Sequence, residues 1–168
     1  YLHDALPIYL SMKIHLFMLK SINLLQLRQN ESNSEDAEYL ISQLPFHKYR
    51  LGLLNMKKGQ YSEARSYFEN TAVVEDERSW LTKRLLNKKI GDCYYKEKNY
   101  NNAISYFNAS YQSYLDDDDS LSAIESLNRQ ALSEYHNNQK ESAITHFKLA
   151  EKYLETIRSE ERRVGKEW

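Results

Sequence analysis

Small and aromatic residues recur along the chain at helical spacing and at nearly equal intervals. The pattern Ala-x-x-x-Phe occurs three times, and its copies begin at Ala64, Ala103 and Ala143, which are 39 and then 40 residues apart. Positions four residues apart lie on the same face of an α-helix, one turn along. The pattern therefore predicts three related helices that bury an alanine and an aromatic side chain. The aromatic members are Phe68, Phe107 and Phe147.

A second recurring position lies twelve residues before each of these alanines and is always small. It is occupied by Gly52, Gly91 and Ala131. Between the two positions the chain is polar, with the segments "KKGQYS", "KEKNYN" and "HNNQKE", which favour a turn between two helices. Small residues on both helices let their backbones approach closely. Each copy therefore predicts a helical hairpin, with a helix A followed by a helix B.

Hydrophobic periodicity predicts helices throughout the chain, and no segment has the alternating pattern of a strand. Pro45 is expected to end one helix, so that the next begins at Phe46. The predicted helices cover residues 9–29, 35–44, 46–58, 61–75, 79–97, 100–115, 119–137 and 140–157.

These positions resemble the tetratricopeptide repeat, whose pattern is W-x2-L-G-x2-Y followed by A-x3-F. The second copy is the most similar, with Gly91, Tyr94, Ala103 and Phe107 at the motif positions, whereas the tryptophan is absent from all three copies. The resemblance covers residues 46–157 and implies an all-α, right-handed superhelical solenoid of antiparallel helix pairs. The family's usual period is about 34 residues, so we expect the helices between Phe68 and Gly91, and between Phe107 and Ala131, to be about one turn longer.

The resemblance also implies a binding surface on the inner wall of the solenoid, which the A helices form. In the family, the wall positions lie two and three residues before the small residue, and one and four residues after it. They are Tyr49, Arg50, Leu53 and Met56 in the first copy, Lys88, Lys89, Asp92 and Tyr95 in the second, and Asn128, Arg129, Leu132 and Tyr135 in the third. We expect Lys88, Lys89 and Arg129 to form a charged centre that favours an acidic peptide with an apolar anchor.

Composition narrows the class of partner. The net charge of -1 gives no electrostatic reason to expect nucleic acid or a membrane surface. The most apolar stretch, Tyr9–Leu27, is interrupted by Lys13 and Lys20, so we expect an amphipathic helix there rather than a membrane span. A single cysteine, Cys93, excludes an internal disulfide and is compatible with a reducing compartment such as the cytoplasm.

The sequence contains no arrangement of residues that is typical of catalysis, metal binding or cofactor binding. Its histidines do not form an H-E-x-x-H motif, and there is no glycine-rich phosphate loop. The run Asp116–Asp119 lacks the glycine and glutamate that a calcium loop needs, so we interpret it as an N-terminal helix cap. We therefore predict a protein that is not an enzyme and holds no cofactor.

Both ends of the chain resemble translated sequencing-adapter DNA. Residues 2–8, "LHDALPI", and residues 158–167, "RSEERRVGKE", can each be back-translated into a DNA sequence. The reverse complement of the first DNA sequence lies inside the second. We interpret residues 1–8 and 158–168 as adapter-derived and leave them out of the fold. The remaining residues then form a piece of a longer protein: N-terminal helices with a degenerate repeat at 9–45, and three repeats at 46–157.

These observations favour a non-catalytic scaffold that binds a protein or a peptide. The alternative is the helical sensor or linker region of a bacterial regulatory protein, such as a histidine kinase or a transcription factor. Helix faces at the ends of a solenoid are left uncovered, and we expect them to promote self-association. In the first helix these apolar residues are Met12, Leu16, Leu19, Leu24 and Leu27.

Overall fold

The computed structural model of the protein describes residues 13, 16, 17, 19–21, 23, 24, 35–72 and 81–164. The described positions up to residue 24 are helical, and no strand occurs in any of these ranges. The all-α class predicted from the sequence is therefore confirmed. After residue 24 the described ranges contain six helices: α1 (Glu35–Lys57), α2 (Tyr61–Glu69), α3 (Lys83–Lys96), α4 (Tyr100–Asp116), α5 (Ser120–His136) and α6 (Lys140–Val164).

The chain divides into two compact units, of which the first ends at Leu81 and the second begins at Thr82. In the first unit α1 packs on α2, and in the second unit each of α3, α4 and α5 packs on the helix that follows it. The connections 58–60, 97–99, 117–119 and 137–139 contain three residues each. Such short connections make packed neighbours antiparallel, so the predicted helix pairs are present in both units.

The four connections share one backbone conformation. Each contains a residue in the left-handed region: Gly59 with φ 77°, Lys98 with φ 62°, Asp118 with φ 57° and Asn138 with φ 61°. In every case the next residue donates its N–H to the carbonyl oxygen five residues earlier, at 2.9–3.0 Å. This combination is the Schellman motif, which satisfies the carbonyl groups at a helix end. The same turn is therefore made four times, only once with a glycine.

Three helices of the second unit, α3, α4 and α5, also have N-terminal caps. The side chain of Asp119 accepts a hydrogen bond from the backbone N–H of Ser122 at 3.1 Å, and the side chain of Asn99 accepts one from Asn102 at 3.4 Å. Each cap satisfies an N–H group that has no partner within its own helix. The interpretation of the Asp116–Asp119 run as the start of the third copy's helix is therefore confirmed for Asp119 alone, which is the cap. It is wrong for Asp116, the last residue of α4, and for Asp117, its C-terminal cap.

The repeated glycine and phenylalanine meet inside each of the first two hairpins. A Cβ atom built on Gly52 would lie 2.3 Å from the ring of Phe68, and one built on Gly91 would lie 2.9 Å from the ring of Phe107. Only a residue without a side chain leaves room for the ring at that distance. Both rings are fully buried, as are Ala64 and Ala103. The sequence offset is therefore explained by a ring that packs directly on a helix backbone.

The third hairpin differs because Ala131 stands at the glycine position. Phe147 remains 39% exposed there, whereas Ala131 and Ala143 are fully buried. The expectation that Phe147 packs like Phe68 and Phe107 is therefore wrong.

Two predicted helix ends in the first unit are also wrong. α1 continues through Pro45 instead of ending there, and the fixed φ of proline is itself compatible with a helix. α2 ends at Glu69 rather than at residue 75. The Asn70 amide donates to the carbonyl oxygen of Ser66 and the Thr71 hydroxyl to that of Tyr67, both at 2.7 Å, and these bonds satisfy the end of the helix.

The longer helices implied by the long period occur in one of the two intervals. Between the second and third copies, α4 and α5 have 17 residues each, as expected. Between the first and second copies, α2 has only 9 residues, and residues 73–80 lie outside the described part of the chain. At the other end of the chain, α6 extends to Val164, beyond the predicted end at residue 157.

The shared turn conformation predicts opposite effects of two glycine changes. Lys98→Gly should raise the free energy of unfolding by about 0.5–1 kcal/mol, since the left-handed conformation costs a non-glycine residue about 1–2 kcal/mol and the flexibility of glycine cancels part of the gain. Gly59→Ala should lower it by about 1 kcal/mol. No atom lies within 4 Å of a Cβ built there, so only the backbone resists the change.

Urea unfolding of the two variants and of Asn138→Gly measures these effects. The asparagine variant should gain less than Lys98→Gly, because asparagine tolerates the left-handed region better than lysine does. No gain in stability for Lys98→Gly would contradict the prediction.

The contact between Gly91 and Phe107 predicts strong coupling between the two positions. Gly91→Ala should lower the free energy of unfolding by about 1–3 kcal/mol, because its methyl group displaces the ring. With Phe107→Leu already present, the same change should cost less. A double-mutant cycle measured by denaturant unfolding gives the coupling energy. An additive cycle would show that the ring does not rest on Gly91.

Candidate functional site

The A helices of the second unit, α3 and α5, are joined by charged side chains. Lys88 on α3 lies 2.8 Å from Glu125 on α5, and Asp92 on α3 lies 2.8 Å from Arg129 on α5. On each helix the two charged residues are four positions apart, so both point from the same face. We call this surface, with Lys89, Tyr95, Leu132 and Tyr135, the α3–α5 wall.

Further ion pairs connect these two bridges into one network. Arg129 also lies 3.6 Å from Glu125, and Lys89 lies 3.9 Å from Asp92. The network therefore contains three cationic and two anionic side chains and carries one positive charge in excess. The expected basic centre is present, but each of its members already has an acidic neighbour in the protein.

The two carboxylates of the network lie in different environments. Asp92 is buried, and burial raises its pKa above the ordinary value, although Arg129, Lys89 and Lys88 act in the opposite direction. Glu125 is half-exposed, and the hydrogen bond from Lys88 is the main reason that its pKa is lowered. Asp92 is thus a fixed internal partner for Arg129, whereas Glu125 is open to competition from a ligand.

Aromatic side chains close one end of the wall. The ring of Tyr95 lies 5.7 Å from that of Tyr100 and 5.8 Å from that of His136, and Tyr100 stacks on His136 at 5.5 Å. Tyr135 meets the edge of His136 at 5.6 Å. Such tilted and stacked pairs hold each ring in place. Tyr95 and Tyr135 were predicted from the sequence, but Tyr100 and His136 were not.

Two apolar side chains of the wall are open to solvent. Leu132 is 40% and Tyr135 52% exposed, and both lie within two turns of Arg129 on α5. They follow the charged network along the helix. The wall therefore combines a paired charged region with an exposed apolar region.

The structure places the other predicted wall residues elsewhere. Tyr49 is buried, with its ring 5.7 Å from that of Phe68, because it lies three residues before Gly52 and shares the face of α1 that packs on α2. Its predicted role in a groove is therefore wrong. Arg50 is exposed and Leu53 is half-buried in the first unit. Asn128 lies beside Ile124 at the end of the second unit, outside the ion-pair network.

Some residues of the site could have been found from a charge signal. Lys88 and Glu125 are 37 residues apart and so are Asp92 and Arg129, which is close to one repeat. Opposite charges at this separation, four residues apart on each helix, are the pattern of bridges between successive A helices. Lys88 also lies 5.8 Å from the ring centre of Tyr114, and nothing in the repeat pattern indicates that contact.

The tyrosine position of the repeat motif is filled by Glu134 in the third copy. Its buried carboxylate accepts a hydrogen bond from the Gln130 amide at 2.9 Å and contacts Nδ1 of His146 at 2.8 Å. These partners offset the free energy that burying the carboxylate would otherwise cost. Glu134 therefore has a structural role between α5 and α6.

The described residues include no group of histidine, cysteine, aspartate or glutamate side chains arranged to hold a metal ion. In the same part of the chain, no helix combines the length and the apolar character that crossing a bilayer requires.

The stacked hairpins and the charge bridges between successive A helices define a helical-repeat protein. Residues 48–70 and 89–117 match the family model of the Tetratricopeptide repeat, so the resemblance seen in the sequence is confirmed. These two stretches of the chain therefore have the sequence character of tetratricopeptide repeats. Repeats of this family are in general scaffolds for protein interaction and typically have no enzymatic activity. No curated protein matches the chain.

The network predicts how the pKa of Asp92 responds to its neighbours. Arg129→Ala should raise this pKa further, and Glu125→Gln should lower it, because Arg129 stabilises the charged form and Glu125 opposes it. NMR titration of the Asp92 carboxyl carbon measures both shifts. A response with the same sign in the two variants would contradict the network.

The raised pKa also has a consequence for folding. Between the ordinary value of 3.8 and the raised one, the folded protein binds more protons than the unfolded chain. The contribution of Asp92 to stability is therefore greatest below pH 3.8 and declines as the pH rises through the raised value.

Proposed function

We propose that the protein is a non-catalytic scaffold and that the α3–α5 wall binds an extended or helical peptide segment of a partner protein. The observation that carries the proposal is the pair of exposed apolar side chains, Leu132 and Tyr135, beside the charged network. Repeats of this kind generally bind proteins. The wall offers both types of contact that such binding uses, apolar anchors and polar groups that fix orientation.

The apolar region supplies the affinity in this proposal. Tyr135 rests on His136, which in turn contacts Tyr95 and Tyr100, so its ring loses little conformational freedom on binding. An aromatic side chain that is already held in place contributes contact area at a low entropic cost. We infer that an apolar side chain of the partner packs on Tyr135 and Leu132.

The charged region orients the partner and increases the rate of association. An acidic partner residue can replace half-exposed Glu125 beside Lys88 and Arg129. The exchange trades one carboxylate for another, so its net contribution to affinity is small. Electrostatic attraction at such a rim mainly accelerates association and is weakened by salt. We therefore propose that the preference for an acidic partner contributes less to affinity than the apolar anchor does.

Selection from a random-sequence peptide library displayed on phage provides probes for the wall. Peptides that bind the whole chain should bind about tenfold or more weakly to Tyr135→Ala or Leu132→Ala, because desolvated anchors carry most of the affinity. Leu121→Ala is the matched control, since Leu121 is an exposed leucine of α5 that lies outside the wall. Unchanged affinity in both wall variants would contradict the proposal.

The charged region is tested on the same peptides with the double change Lys88→Glu and Lys89→Glu. It should weaken the binding of acidic peptides strongly at low salt and less at high salt. Tyr135→Ala should show little dependence on salt. Circular dichroism of each variant verifies that the helices are intact.

A further inference from the structure

The ion-pair network holds one of its own carboxylates in a position that also suits a carboxylate of a partner. One oxygen of Glu125 accepts a hydrogen bond from Nζ of Lys88 at 2.8 Å, and the other lies 3.6 Å from Nε of Arg129. The two cations therefore approach the carboxylate from α3 and from α5, one at each oxygen. Lysine and arginine donors placed in this way bind a carboxylate whatever chain it belongs to. Lys88 and Arg129 thus form a carboxylate-binding position, which Glu125 fills.

Glu125 is the acidic member of the network that a ligand can displace. Its side chain is 49% exposed, whereas that of Asp92 is 10% exposed. An ion pair in contact with solvent contributes little to stability, so the Glu125 side chain can move into water at a small cost in free energy. Separating Asp92 from Arg129 would instead leave a buried carboxylate short of a partner, which is costly. A ligand therefore replaces Glu125 and leaves Asp92 in place.

The position that Glu125 fills lies on the same helix face as an apolar anchor. Leu132 follows Glu125 by seven residues on α5, which is about two helical turns. Without the Glu125 carboxylate, the positive excess of the network would rise from one charge to two. Glu125 therefore lowers the attraction of the wall for every acidic segment, while Leu132 and Tyr135 remain exposed.

We propose that Glu125 is an internal competitor of the partner's acidic side chain. The wall then binds an acidic segment only when an apolar residue of the same segment packs on Leu132 and Tyr135. An acidic segment without such an anchor exchanges one carboxylate for another and gains little, whereas an anchored segment adds contact area that Glu125 does not offer. Glu125 thereby determines specificity, because it makes the binding of the wrong partners unfavourable. This inference rests on the proposed function of the α3–α5 wall.

Replacing Glu125 by glutamine tests the competition. The probes are acidic peptides from the phage library that lose affinity in Tyr135→Ala, each paired with a counterpart in which asparagine or glutamine replaces its acidic residues. At low salt, Glu125→Gln should bind the acidic peptides about threefold or more tightly than the parent does, and the uncharged counterparts with unchanged affinity. Glu141→Gln is the matched control, since it removes the same charge from an exposed residue of α6. Circular dichroism verifies folding.

Two further measurements separate displacement of Glu125 from a general effect of charge. When Lys88→Met is already present, Glu125→Gln should no longer strengthen the binding of acidic peptides, because Lys88 is the group for which the two carboxylates compete. A second selection of the same library on Glu125→Gln should yield acidic peptides that keep their affinity when Tyr135→Ala is added. Selection on the parent should yield few of them, since only an anchored peptide displaces Glu125 there.

The outcomes distinguish this inference from the proposed function on which it rests. Acidic peptides that need Tyr135 but bind the parent and Glu125→Gln equally well would overturn the competition and leave the proposed function in place. An equal gain in Glu141→Gln, or a gain that persists with Lys88→Met, would also overturn the competition alone. Library peptides that bind Tyr135→Ala and Leu132→Ala as tightly as the parent would overturn both.

Discussion

The packing of a phenylalanine ring directly on the backbone of a glycine is the contact on which the first two hairpins depend. Gly52 with Phe68, and Gly91 with Phe107, bring helices A and B to a separation that no larger residue would permit. The alanine one turn before each ring lies at the same crossing and is equally buried. In the third hairpin an alanine stands at the glycine position, and Phe147 is partly exposed.

The shared turn conformation arranges the helices in a regular order. Within the second unit each connection has three residues, one left-handed residue and the same hydrogen bond across the helix end, so its helices alternate in direction. Two A helices then face the same side of the unit. Side chains that are one repeat apart in sequence become neighbours, and this is the reason that Lys88 finds Glu125 and that Asp92 finds Arg129. The α3–α5 wall therefore depends on the turn conformation as well as on the helices.

The hairpins were predictable because their signals are local. The twelve-residue offset between Gly91 and Ala103 and the polar turn between them lie within a single hairpin, and helical geometry converts such spacings directly into contacts. The cap at Asp119 was predictable for the same reason, since a cap involves residues only three positions apart. The errors arose where local signals compete. Pro45 reads as a helix end, yet its backbone conformation is also compatible with the helix that runs through it.

The sequence by itself determined the helical class, the period, the hairpins and the family of repeat, since each of these is encoded by residues within about one hairpin of each other. It also indicated Lys88, Lys89, Arg129, Tyr95 and Tyr135 as residues of the wall. The tertiary structure alone decided which of these charges are paired, that Tyr49 is buried and that His136 joins the aromatic end of the wall. Those features depend on contacts between helices of different repeats. A pattern confined to one helix does not show which of its faces makes such contacts.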